Sequence, residues 1–96
     1  MPVLVDPIHH YPHVRLAVSD WCHMAVDGDF EELHAFAAAL GIPRSRFQGD
    51  HYDLPPWIRD RAVALGAEEV STRELLLRMA GPRGDRARRR AARRAE

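Results

Sequence analysis

Six acidic or imidazole side chains carry most of the chemistry that this sequence offers: Asp6, His23, Asp27, His34, His51 and Asp53. Imidazole and carboxylate together suit zinc, manganese or iron, whereas carboxylates alone would suit magnesium. Three such ligands around an open position activate water at neutral pH. The same groups without a metal serve as general acid and general base. His23, His34, His51 and Asp53 are the candidate catalytic groups on this reading. Asp6, His23, Asp27, His51 and Asp53 are the candidate ligands of a divalent metal ion. His51 and Asp53 are two apart, so an extended segment points both to one side. Asp6 closes the apolar run Val3-Leu4-Val5, and His23 lies within a second run, Trp21–Val26. Layered α/β folds gather ligands at strand ends.

Each of these residues also has a purely structural reading. Asp27 or Asp29 is wanted as a helix cap, and Asp53 is placed to cap a helix that starts at Pro55-Pro56. Asp6 can satisfy a loop amide. His34 can pack beside Phe30, and His23 can be a buried polar group bonded to backbone. No H-E-x-x-H and no H-x-E with C-x-x-C is present. The tract His9-His10-Tyr11-Pro12-His13 reads as a polar loop, with weak binding of a divalent ion as its chemical alternative. Cys22 and His23 are strand neighbours, so they face opposite ways and the thiol reads as buried. Gly28, Gly41, Gly49 and Gly66 stand alone at turns, which excludes a glycine-rich phosphate loop.

The elements that must position these groups alternate along the chain. Pro2–Asp6 and Trp21–Val26 are expected strands, Val14–Val18 is a strand or a loop edge, and Pro7–His13 is a loop. Asp29 with Glu32 starts a helix whose Phe30, Leu33, Ala37 and Leu40 share one face, flanked by Phe36, and Gly41 ends it. Pro43–Phe47 allows one helical turn. Pro55 and Pro56 open a second helix, in which Ile58, Ala62 and Leu65 form the buried stripe. Glu68–Val70 is a short strand. Ser71 and Glu74 box the start of a third helix, with Leu75, Leu76 and Met79 inward and Gly81-Pro82 as its stop. The expected fold is α/β: a small layer with a short sheet of about four strands, some of them parallel, and about three helices. Trp21, Phe47 and Trp57 are expected in or over the core, and Tyr52 is left open between core and pocket.

Val3-x-Val5-Asp6, Trp21-x-His23-Met24-x-x-Asp27, Glu32-Leu33-His34-x-Phe36-Ala37, Phe47-Gln48, His51-Tyr52-Asp53, Gly66-Ala67 and Glu74-Leu75 occur together. In this combination the chain resembles the bacterial and phage domain-of-unknown-function family numbered 4031, over roughly residues 3–79. The resemblance implies a fold unit and motif positions, and it implies no reaction.

Ninety-six residues make one domain with at most a tail, which excludes a separate cofactor domain. The net charge is zero, yet all fourteen basic residues are arginine and seven of them lie in the last fourteen positions, beside two acids. The body is correspondingly acidic. We therefore expect a folded unit over 1–81 and an arginine-rich tail over 82–96, loose or a frayed helix. Arg83–Arg94 is a candidate contact for nucleic acid, or for the acidic body of a second copy in an oligomer. No apolar run is long enough to cross a membrane and no signal peptide is recognised, so no membrane partner is expected. A single cysteine excludes an internal disulfide and points to the reducing cytoplasm. Two functions follow. One is a metal-assisted or acid–base hydrolase acting on a phosphate ester or nucleic acid. The other is a non-enzymatic module that binds nucleic acid or protein through the tail and the Phe47–Trp57 loop.

Overall fold

A computed structural model describes residues 3–12 and 18–95 of the chain; His13 and residues 14–17 of the expected Val14–Val18 segment lie outside them. Among the described residues five strands and four α-helices form a mixed α/β layer. The strands are β1 (Val3–Val5), β2 (His9–His10), β3 (Asp20–Val26), β4 (Tyr52–Leu54) and β5 (Glu68–Glu69). The helices are α1 (Phe30–Ala39), α2 (Pro56–Ala64), α3 (Thr72–Arg78) and α4 (Pro82–Arg94). The longest strand, β3, is the hub: β1, β2 and β4 all pair with it antiparallel. β5 joins the outer edge of β1 in parallel, as a strand returning from a crossover helix does.

The side-chain period of two sorts these strands into two faces. Val3, Val5, Cys22, Met24, Val26, Tyr52 and Leu54 form one buried cluster with Leu33, Phe36 and Ala37 of α1 and Ala62 of α2. Leu4 and Ala25 belong to the other face, where Val70, Leu75 and Met79 close over them. By the same alternation Asp6, His23 and Asp53 follow Leu4, Ala25 and their neighbours onto this second face. α3 packs over its Leu4–Ala25 end and reaches Asp6 through Thr72.

The helix starts are set as their sequences dictate. Asp29 accepts the Glu31 N–H at 3.0 Å and Ser71 accepts the Glu74 N–H at 3.0 Å. Pro55 precedes α2 without any side-chain cap, because Asp53 is bonded elsewhere. Two expected core positions are corrected. Trp57 is 57% exposed and Leu65 is 52% exposed. Trp57 sits in the first turn of α2 on its outer side, and Leu65 is the residue after the last helical one. Ile58 packs beside Ala62 as expected, and Val63 joins them.

Beyond residue 81 the chain continues as α4, packed against α3, where a loose or frayed tail was expected. Gly81, at φ 101°, turns the chain into it, and Gly84 lies buried against the end of α3. His9–His10, read as loop, is the short strand β2 paired with Trp21 and Asp20.

Candidate metal centre

The register of β3 and β4 places His23 directly opposite Asp53. His51 immediately precedes β4, and its Nε2 lies 3.2 Å from Asp53 Oδ1. One ligand atom from each of His23, His51 and Asp53 falls within 4.8 Å of the others. The rings of His23 and His51 meet edge to face with centroids 5.4 Å apart. These three side chains line a cleft of about 370 Å³ with Tyr11, Trp21, Arg46 and Gln48.

Both histidines are held from behind by carboxylates. Asp6, whose side chain is fully buried, accepts the His23 backbone N–H at 2.7 Å and the His23 Nδ1 proton at 2.9 Å. Asp50 Oδ1 accepts from His51 Nδ1 at 2.7 Å. An ionised carboxylate only accepts, so Nδ1 of each ring donates to its supporting carboxylate; His23 Nε2 keeps a lone pair for coordination, and His51 Nε2, which faces Asp53 Oδ1, would offer one when a bound ion displaces its proton. Carboxylate–imidazole pairs of this kind fix ring orientation and raise ligand basicity at metal sites. Asp53 is oriented in turn by Gln48, which donates to Oδ2 at 2.7 Å.

A further ring of residues fastens the carboxylates. Thr72, first residue of α3, donates to Asp6 Oδ2 at 2.8 Å and stands 3.0 Å from His9 Nε2. Arg59 donates to the Asp6 carbonyl at 2.8 Å and pairs with Glu69 at 3.0 Å, joining α2 to the ends of β1 and β5. Arg83 of α4 grips Asp50 with two bonds, 2.8 and 2.9 Å.

The electrostatics favour a cation between these acids. Burial alone would raise the Asp6 pKa, but the hydrogen bonds from His23 and Thr72 outweigh it and bring it down to about 2. Asp53 is lowered by its bond to His51, against the opposing effect of burial. Burial opposes ionisation of Asp50 too, yet Arg83 and His51 lower its pKa. His51 is raised, first by Asp53 and then, after burial has opposed it, by Asp50.

The predicted residues are thus brought together in part. Asp6, His23, His51 and Asp53 share one face and one network. Asp27 does not join them: it follows the far end of β3, four residues and roughly 13 Å of strand from His23, and pairs with Arg78 at 3.0 Å. His34 is on the opposite side of the sheet. Its Nδ1 lies 2.8 Å from the hydroxyl of the fully buried Tyr52, and its ring meets Phe47 edge to face. Asp53 is no helix cap, and Cys22 is buried with its thiol pushed up by burial to about 12.

Sequence reasoning missed Asp50, Thr72, Arg59 and Arg83 as parts of this network, and it set His9 in a loop with weak ion binding only as the alternative. His9 forms a second ligand-like group with Asp6 and His23. Both groups are hydrogen-bonded within themselves, Asp6 to His23 and Thr72 and Asp53 to His51, and it is the His23–His51–Asp53 group that lines the cleft. The His9-His10 tract was a signal of sorts. Asp50, next to His51, was the other.

Residues 3–81 match the family described as "Protein of unknown function (DUF4031)", and the chain belongs to that family. No curated protein and no solved structure matches it. Among the described residues no helix is long and apolar enough to cross a membrane.

Proposed function

We propose that the chain is a metal-dependent hydrolase of phosphate esters, holding one divalent transition-metal ion on His23, His51 and Asp53. The observation that carries this reading is the convergence of two nitrogens and one carboxylate within 4.8 Å, at the wall of a cleft. A mixed nitrogen and oxygen set selects zinc, manganese or iron over magnesium. Three protein ligands leave a position for water, and the bound ion would lower that water's pKa toward neutrality.

The chain's own residues supply the rest. Asp6 and Asp50 hold the two imidazoles in the tautomer that coordinates. Gln48 keeps Asp53 turned toward them. Arg46 lines the same cleft and makes no ion pair among the described residues. A guanidinium there is a bidentate partner for phosphoryl oxygens and for the charge that develops during hydrolysis. Trp21, with its Nε1 donating to the Val18 carbonyl at 3.0 Å, is a fixed wall for the organic part of the ester. A buried, protonated Cys22 suits a reducing setting such as the cytoplasm. Asp27 and His34 have no role in this reaction.

Calorimetric titration of the chelator-treated protein with zinc, manganese and cobalt tests the site, followed by assay of p-nitrophenyl phosphate and its bis-ester with each ion. One ion per chain is expected, with turnover that His51→Ala and Asp53→Ala both abolish. Absence of stoichiometric binding by any of the three ions overturns the proposal. Binding without turnover of either ester leaves the alternative, a binding module with no reaction of its own.

A further inference from the structure

α4 sorts its seven arginines into two groups. Arg83 and Arg88 act inside the chain. Arg83 grips Asp50, while Arg88 donates to the carbonyls of Leu77 at 3.1 Å and Met79 at 3.0 Å, closing the end of α3, and pairs with Asp85. Arg86, Arg89, Arg90, Arg93 and Arg94 make no hydrogen bond or ion pair through their side chains among the described residues, and all five are exposed.

Helical spacing puts these five on one side. Arg86, Arg90 and Arg94 follow one another at four-residue intervals, with Arg89 and Arg93 in the adjoining row. The other side of α4, made of Gly84, Ala87 and Ala91, is the less exposed one. Arg73 of α3, also exposed and without a side-chain partner among the described residues, lines a shallow groove between the helices with Arg90 and Arg94. Arg73, Arg90 and Arg94 thus line one groove with no carboxylate in its lining, and Arg86, Arg89 and Arg93 extend the basic side of α4. Like charges four apart on a helix repel, so the arrangement is relieved only by anions from outside the chain.

We propose that this face of α4 binds the phosphate backbone of double-stranded nucleic acid without reading its sequence. Three features on the surface select that partner. The cations are all arginine, the side chain whose planar fork matches phosphate oxygens. A thirteen-residue helix is roughly 20 Å long, and a duplex presents a charge every ~1.7 Å over that distance. The face carries no aromatic side chain, whereas single-strand binding relies on stacking platforms. An anionic bilayer is a poor match, because a helix lying in it needs bulky apolar residues opposite its charges, and α4 offers glycine and alanine there. The inference stands apart from the metal centre, although Arg83 joins the two by lining the α3–α4 groove and holding Asp50.

Cutting the chain at Gly81 would also remove Arg83 and Arg88, so the test keeps the full chain. Fluorescence anisotropy of a labelled mixed-sequence duplex is followed across a series of salt concentrations. With four or five arginines engaged, log affinity should fall against log salt with a slope of about −4. The triple variant Arg86→Gln, Arg90→Gln, Arg94→Gln keeps good helix formers and should flatten that slope by about 2.7, with at least ~10-fold weaker binding at low salt. Arg61→Gln, exposed on α2, should leave the slope unchanged. A triple variant with the native slope overturns the proposal. So does tighter binding to a single strand, to phosphatidylserine vesicles or to polyglutamate than to the duplex. Zinc titration of the triple variant should match the native protein, so failure here is separable from failure of the metal centre.

Discussion

Asp6 and His23 are joined twice, through the His23 backbone N–H at 2.7 Å and through Nδ1 at 2.9 Å. The carboxylate therefore fixes both the strand position of His23 and the tautomer of its ring. Asn at position 6 can still accept one N–H but cannot accept both. Asp6→Asn should weaken zinc binding by about 10–100-fold, the usual effect of losing such a support. Calorimetry on the folded variant measures it. Native affinity in Asp6→Asn would mean that the imidazole is oriented by something else.

The same carboxylate should make the metal-free protein sensitive to acid. Its folded pKa of about 2 lies below the unfolded value of 3.8. A depressed carboxylate stabilises the fold above its unfolded pKa, and the contribution is lost as pH falls through the folded one. The loss should reach about 2 kcal/mol between pH 4 and pH 2, at 1.36 kcal/mol for each pKa unit. Urea midpoints over that window, compared with those of Asp6→Asn, read it out. Parallel curves for the two proteins would remove Asp6 as the acid-sensitive group.

His34 and Tyr52 give a contrasting pair. Their bond of 2.8 Å lies on the α1 side of the sheet, away from the cleft. Tyr52→Phe should cost about 1 kcal/mol, as the loss of one such hydrogen bond does. His34→Ala should lower the melting temperature and leave zinc affinity unchanged. Weaker metal binding in His34→Ala would restore His34 to the site.

How much of this was legible in the sequence depends on distance along the chain. Residue type and position on expected strands made Asp6 and His23 site candidates, and the two-residue spacing placed His51 with Asp53. α1 was legible from Asp29, Gly41 and the apolar stripe between them, all local signals. Asp27 and His34 misled because their residue types suit a metal, while strand rise and sheet face decide where they go. Thr72 and Arg83 were invisible, since each acts on a residue more than thirty positions away. A short helix start reads as a cap and an arginine-rich stretch reads as a tail. Only the folded chain brings Thr72 to Asp6 and Arg83 to Asp50.

Gly84 ties the last of these relationships to one hydrogen atom. It is buried where α4 crosses the end of α3, and a Cβ built there would stand 1.9 Å from the Met79 carbonyl oxygen and 2.9 Å from its carbon. Neither is a flexible side-chain end, so Gly84→Ala must push the helices apart even though alanine is the better helix former. The cost should be at least about 2 kcal/mol, toward the upper part of the range for overpacking. Separation also frees Arg88 from the Leu77 and Met79 carbonyls and loosens the grip of Arg83 on Asp50. Trypsin should then cut within Arg86–Arg94 faster than in the native chain, and zinc affinity should fall through His51. A Gly84→Ala protein with native melting and native trypsin resistance would show that α4 does not need close contact with α3. The support of His51 would then have to come from Asp50 and its own loop alone.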